Sequence, residues 1–337
     1  MRILLIKQTS LGDVVHATAA IRSVRLAYRQ AHITVLTSTT AADILAGCPD
    51  IDELLTFDRY RVKSDWWRHP LWTLGHVYQV MRTVRQRPVD IAIDLQGSWK
   101  TIMFLWAAKT GKRFAKGRWW FAQSFHKPAL HAIDEMEGVL RLSGIEPTQH
   151  QPVLSLNQND RQRINDLIDD LPIAGRKLAV FCPITRWPTK NWPLANFKLL
   201  SERIKNEFFV IFTGASEDQV SIESHLASSD SSDHKSLAGA INLSEFFALI
   251  SRADLVVTGD SLPMHAASAF DRPLLAFFGP TDEALVGPRN QNAKVLRADV
   301  NCTRCYRRDD CPKNCVNQIS VDQAVSAIEK LIAGTDE

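Results

Sequence analysis

Short apolar runs recur along the chain, each followed by a polar turn and then by a stretch with one apolar face. That rhythm predicts strands alternating with helices. Residues 2–7 form the first strand run, Gln8-Thr-Ser-Leu-Gly-Asp13 is the turn after it, and 14–28 carry a helical apolar face. Further strands are predicted at 31–36, 53–57 and 91–94. Helices are predicted at 41–46, at 71–87 where Pro88 stops the chain, and at 98–108. The alternation lapses at 146–158, which carry two prolines and read as a linker.

Beyond the linker the rhythm restarts. Strands are predicted at 177–182 and 208–213, and helices at 194–206, from about 219, and at 243–251. The densest unit follows. Two apolar runs, 254–257 and 274–278, enclose Thr258-Gly-Asp-Ser-Leu-Pro-Met-His265 and a short helix, which makes a βαβ unit. Two successive βα series in 337 residues predict two Rossmann-like domains, 1–150 and 151–337, facing each other across a cleft. Ligands are expected beyond the C-terminal ends of the strands.

Composition is that of an ordinary soluble globular protein, and no apolar run reaches the roughly 18–20 residues that a membrane span needs. A cytoplasmic protein is expected. The net charge of +3 is modest but unevenly spread. Thirteen Lys/Arg lie between Arg59 and Arg118 against Asp65, Asp90 and Asp94, with Trp66, Trp67, Trp72, Trp99 and Trp106 interleaved. Basic plus aromatic fits an anionic membrane surface, an anionic glycolipid or a nucleic acid. The plainer reading is a solvated positive face with tryptophans in the core.

Three polar loops carry candidate chemistry. In the first, Gly12 permits a tight turn, Thr9 and Ser10 are short hydroxyl donors, and Asp13 is either a helix cap or a working base. The second holds Lys190 between prolines, as a surface lysine or as a point charge for a phosphate. In the third, Asp260, Ser261 and His265 can cap their own helix or meet a phosphate at its open N-terminus. Together they could run an inverting glycosyl transfer. A carboxylate would take the acceptor's proton, while a cation and a helix dipole meet the leaving diphosphate. The three-glycine dinucleotide fingerprint is missing after the first strand, which disfavours a dehydrogenase. No carboxylate pair reads as a metal grip, so neither a cofactor nor a catalytic metal is expected.

Cys302, Cys305, Cys311 and Cys315 form a second dense signal. Four cysteines so close could hold a structural metal, yet the spacing departs from paired CxxC knuckles, and free or redox-active thiols are the alternative. Cys48 and Cys182 read as small buried residues.

The stretches Lys7-Gln-Thr-Ser-Leu-Gly-Asp-Val-Val-His16, Ile93-Asp-Leu-Gln-Gly97, Arg186-Trp-Pro-Thr-Lys-Asn-Trp-Pro193 and Gly259-Asp-Ser-Leu-Pro-Met-His265, with Phe278-Gly-Pro-Thr281, resemble glycosyltransferase family 9. Those are the ADP-heptose:lipopolysaccharide heptosyltransferases. Ala238-Gly239 and the cysteine segment also resemble parts of that family, and the likeness runs in order from about residue 2 to 330. It implies a GT-B fold, an ADP-heptose donor bound by the second domain, and an anionic lipopolysaccharide inner-core acceptor bound by the first. It further implies a peripheral place on the cytoplasmic face of the inner membrane, and no nucleic-acid partner. By the same resemblance Asp13 is the general base, and Thr9, Ser10, Thr185, Lys190, Glu217, Asp260, Ser261 and His265 surround the donor. Leu262 stands where the family usually has glycine. A transferase or epimerase acting on another nucleotide sugar, and a non-catalytic protein that binds anionic surfaces or nucleic acid, are the competing readings.

Overall fold

The computed structural model describes residues 1–127, 129–227, 232–302 and 304–334. The chain divides into two compact units, Met1–Ser155 and Leu156–Glu337. No regular element lies between Leu142 and Gln158.

The first unit runs β1 (Arg2–Ile6), α1 (Leu11–Ala27), β2 (His32–Ser38), α2 (Ala42–Leu45), β3 (Glu53–Phe57), α3 (Arg59–Asp65) and α4 (Pro70–Gln86). It continues with β4 (Ile91–Asp94), α5 (Trp99–Ala107), β5 (Arg113–Lys116), β6 (Gln123–Phe125) and α6 (Ala132–Leu142). Its strands pair in parallel in the order β3-β2-β1-β4-β5-β6. The central strands are apolar without alternation because helices cover both faces of a parallel sheet. Ile3, Leu5, Ile6, Ile33, Val35 and Ile93 are accordingly fully buried.

The second unit runs α7 (Gln158–Asp169), β7 (Lys177–Cys182), α8 (Leu194–Ile204), β8 (Phe208–Phe212), α9 (Gln219–Leu226), β9 (His234–Ser236) and α10 (Leu243–Arg252). Then come β10 (Leu255–Gly259), α11 (Leu262–Ala269), β11 (Leu274–Phe278), α12 (Glu283–Val286), β12 (Ala293–Arg297) and α13 (Val321–Ala333). Its parallel order is β12-β11-β10-β7-β8-β9, which is the first unit's order repeated. Each sheet therefore reverses direction once, between β1 and β4 and between β7 and β10. Loops leaving the C-terminal ends of those strand pairs flank a crevice, the favoured ligand position in such sheets.

Two expectations are corrected. The first helix begins at Leu11, not Val14: the Val14 N–H already donates to the Ser10 carbonyl, so Asp13 lies inside the first helical turn. The edge strands β6, β9 and β12, and β5 next to β6, escaped notice. β5, β6 and β9 have only three or four residues, and β6, β9 and β12 are at most partly buried, so none of them shows a continuous apolar run.

Candidate functional site

In the first unit the β1–α1 turn carries Thr9, Ser10, Gly12 and Asp13. The Ser10 N–H and Oγ both donate to Asp13 Oδ2, at 2.8 and 2.7 Å, so the carboxylate closes the start of its own helix. The turn is held from the other side of the crevice. Gln96, just past β4, accepts the N–H groups of Gln8 and Thr9 through Oε1 at 2.8 and 3.0 Å, and its Nε2 donates to Thr9 Oγ1 at 3.0 Å. Arg59 donates to the same Thr9 hydroxyl.

Gln96 is in turn fixed by Asp94, whose Oδ1 accepts the N–H groups of Gln96 and Gly97 while Oδ2 accepts the Thr101 hydroxyl. Burial raises the Asp94 pKa, and these three bonds pull the other way. Gly97 is obligatory here. Its φ is +68° and a Cβ would lie 2.2 Å from the Lys116 carbonyl oxygen. Beneath the turn Lys7 is buried. Desolvation lowers its pKa, and Asp13 and Asp94 oppose that shift.

In the second unit Lys190 closes a 3₁₀ turn, Pro188–Lys190, in the loop after β7. Its Nζ meets Asp260 Oδ2 at 2.6 Å and sits 4.2 Å from the Trp187 ring centroid. Thr281, after β11, donates to the same Asp260 oxygen at 2.6 Å. Asp260 is only 4% exposed, so both of its partners are needed to offset desolvation. The expectation that Asp260 and Ser261 cap their own helix is corrected: α11 begins at Leu262 with no side-chain cap bond, because Asp260 is committed to Lys190 and Thr281. Ser261 contacts the Thr258 hydroxyl and the Gly259 carbonyl, and His265 is buried one turn in.

The lysine loop is held by its neighbours. Trp192 is fully buried, stacks on Phe277 at 4.4 Å and donates from Nε1 to the Ile319 carbonyl. Thr185 is buried, takes the Asn191 side-chain oxygen on its N–H and donates its hydroxyl to the Trp187 carbonyl. Gly259 leaves room for the loop, since a Cβ there would come within 2.8 Å of the Lys190 carbonyl oxygen. Glu217 lies on an exposed 3₁₀ turn after β8, one strand over, and accepts from Ser216 Oγ. A cavity of about 350 Å³ opens beside the loop, lined by Pro183, Thr189, Asn191 and Trp192 among others, and none of the expected site residues lines it.

The four clustered cysteines are reduced, with Cys311 and Cys315 buried and Cys302 exposed. Among the described residues no three His, Cys, Asp or Glu side chains gather in a metal-holding group. The segment instead fastens the lysine loop: Thr189 Oγ1 donates to the carbonyls of Arg307 and Arg308, and Arg308 lies over Trp187. Burial pushes the Cys315 thiol pKa up, and that of Cys182 to about 12, which disfavours a reactive thiolate at either position.

In both units, then, the expected residues collect where the strand order reverses, except Glu217, which lies one strand over after β8. Gln96, Asp94, Arg59 and Thr281 complete these sites and were not singled out. Gln96, Asp94 and Thr281 lie inside the motif stretches, but the partners of Gln96 and Thr281 are distant in sequence.

The sequence model of glycosyltransferase family 9 (heptosyltransferase) matches residues 77–316. The chain belongs to glycosyltransferase family 9. A curated relative, lipopolysaccharide heptosyltransferase 2 of Salmonella typhimurium, is 26% identical over 317 residues, covering 88% of each chain. The solved family 9 glycosyltransferase of Veillonella parvula superposes with a TM-score of 0.81 at 20% identity, covering 99% of this chain and 97% of its own. The structure of Escherichia coli ADP-heptose LPS heptosyltransferase II gives 0.76 at 21% identity, covering 99% of both. The fold is GT-B, and this family 9 protein is a glycosyltransferase. No helix among the described residues is long and apolar enough to cross a membrane.

Proposed function

We propose that this glycosyltransferase moves heptose from ADP-heptose to the inner core of lipopolysaccharide, with inversion at the anomeric carbon. The donor belongs to the second unit, residues 151–337 in the sequence reading, and the acceptor to the first, 1–150. The observation that carries the reading is the Lys190–Asp260 pair at the β7/β10 reversal, beside the start of α11. A lysine held rigidly next to a helix N-terminus offers a positive site for a diphosphate leaving group. Asp260 orients that lysine, and Ser261, His265, Thr185 and Glu217 are assigned to the donor's phosphates, ribose or sugar. The names of the Salmonella and E. coli relatives supply the sugar and the acceptor.

Asp13 is the general base. It is the carboxylate of the β1–α1 turn, and the two Ser10 bonds to Oδ2 fix its orientation there. Thr9, Ser10 and Gly12 shape that turn around the donor sugar. The acceptor is lipid-linked, so the enzyme works as a peripheral protein on the cytoplasmic face of the inner membrane. Nucleotide release from ADP-heptose, UDP-sugars and GDP-sugars, each with a heptose-free core acceptor, tests the donor. Release from the ADP donor alone is expected. Equal or greater release from a UDP or GDP donor would sink the assignment.

A further inference from the structure

We infer that α3, α4 and the turn between them form a docking face for an anionic phospholipid bilayer. The inference rests on the lipid-linked acceptor proposed above and names the surface that reaches it. α4 has two apolar sides. Thr73, Val80 and Val84 are buried, and the helix packs on α5. On another side Leu71, Leu74 and Tyr78 are 84%, 66% and 66% exposed, at the i, i+3, i+7 spacing of a single helical stripe. The turn before α4 adds Trp66 and Trp67, 63% and 62% exposed. Large apolar side chains held in water over contiguous positions mark an interaction surface.

Charge selects the partner. The same stripe continues into Arg82 and Arg85, both exposed, and α4 contains no Asp or Glu. Arg61 lies over Trp72 at 4.1 Å and Arg68 over Trp67 at 4.7 Å, so cations flank the aromatic turn as well. Aliphatic side chains leading, tryptophan and tyrosine at the flank and arginine behind is the order in which a helix lies in a headgroup layer. A nucleic acid would use the arginines and the aromatic faces, but it would leave Leu71 and Leu74 without a role. At 17 residues and with two arginines in its last turns, α4 is suited to lie on the bilayer, not to cross it.

The test is co-sedimentation of the full chain with vesicles of equimolar phosphatidylcholine and phosphatidylglycerol, against pure phosphatidylcholine, at physiological salt. Wild type should bind the anionic vesicles and leave the neutral ones largely unoccupied. Leu71→Ser/Leu74→Ser/Tyr78→Ser should lower the partition coefficient at least about tenfold. Arg82→Glu/Arg85→Glu should lower it comparably, without touching the apolar stripe. Val220→Ser, an exposed apolar position in the second unit, should leave binding unchanged. Amide exchange in wild type should slow across 66–79 when anionic vesicles are added, a readout that needs no variant. Wild-type binding by both stripe variants, or unchanged exchange at 66–79, would overturn the docking face. So would oligonucleotide binding that displaces the protein from vesicles while the Leu/Tyr variant still sediments normally. Vesicle binding requires no catalysis. A protein that docks as described but transfers no heptose would therefore refute the proposed reaction and leave this surface standing.

Discussion

The two units repeat one strand order and put opposite chemistry at the same place. At the β1/β4 reversal a neutral amide, Gln96, grips the backbone of the β1 turn, and the group beside it is a carboxylate, Asp13. At the β7/β10 reversal an ion pair, Lys190–Asp260, spans the same gap, and the group beside it is a helix start with Ser261 at its cap position. The topology fixes where a ligand goes, and the residues of four loops decide what is done to it. The proposed reaction calls for a base and for a cation at the leaving group, and on that proposal each unit supplies one of the two.

Substitutions that strike one unit's role and spare the other sharpen this contrast. The largest effect is expected from Asp13→Ala. Turnover should fall about 10²–10⁴-fold, the span of general-base catalysis, with ADP-heptose affinity within about twofold of wild type. Titration calorimetry beside steady-state ADP release reads both numbers, and near-normal turnover would remove Asp13 from the mechanism. Lys190→Ala should act differently, lowering donor affinity and rate together, by about tenfold to a hundredfold each. It should also lower thermal stability, because Asp260 is left buried with a charge and only the Thr281 hydroxyl. Unchanged kinetics would make Lys190 a structural residue only.

Gln96→Ala is expected to cost about tenfold in kcat with little change in donor KM, since it loosens the β1 turn without touching the second unit. Gln96→Glu keeps the accepting oxygen towards Gln8 and Thr9, and should recover part of the loss. Equal loss in the two variants would deny the clamp its positioning role.

The smallest effect concerns acid stability. Burial pushes the Glu283 carboxyl up, but Arg297 and Arg304 outweigh it and hold the pKa at about 2, below the ordinary 4.5. The sign follows from a lowered folded-state pKa. The stabilisation is complete above 4.5 and disappears as pH falls from there through 2. Glu283 is partly exposed, so the contribution at neutral pH is discounted to about 1 kcal/mol, or some 2–4 °C in Tm. Glu283→Gln should show that deficit near neutral pH and converge with wild type only as pH falls below about 2. A constant deficit across that window would contradict the ion-pair origin.

Much of this was legible in the sequence because strand cores and loop motifs are local. The continuous apolar runs at 3–6, 178–182, 208–212, 255–257 and 274–278 read as buried strands, and the loops that carry Asp13, Lys190, Glu217, Asp260 and Thr281 each follow one of them. What the sequence hid was pairing at a distance. Nothing near Thr9 announces that Gln96, 87 positions away, holds it, nor that Thr281 shares an oxygen of Asp260 with Lys190. Asp13 was placed before its helix because Gly12 reads as a break, although the Ser10 carbonyl already starts the helical ladder. The tryptophans of the basic stretch were also undecidable from pattern alone. Trp66, Trp67, Trp99 and Trp106 turn out to be exposed, while Trp192, in a loop that looks just as polar, is buried as the anchor for Lys190.

The reaction itself is most directly tested by isolating the product formed from ADP-heptose and a chemically defined, heptose-free lipopolysaccharide core. Its mass and anomeric couplings would then be read by mass spectrometry and NMR on the same sample. One added heptose, with anomeric configuration opposite to that in the donor, is the predicted result. An unchanged acceptor, or a heptose joined with the donor's configuration retained, would contradict a base in one unit working against a diphosphate held by the other.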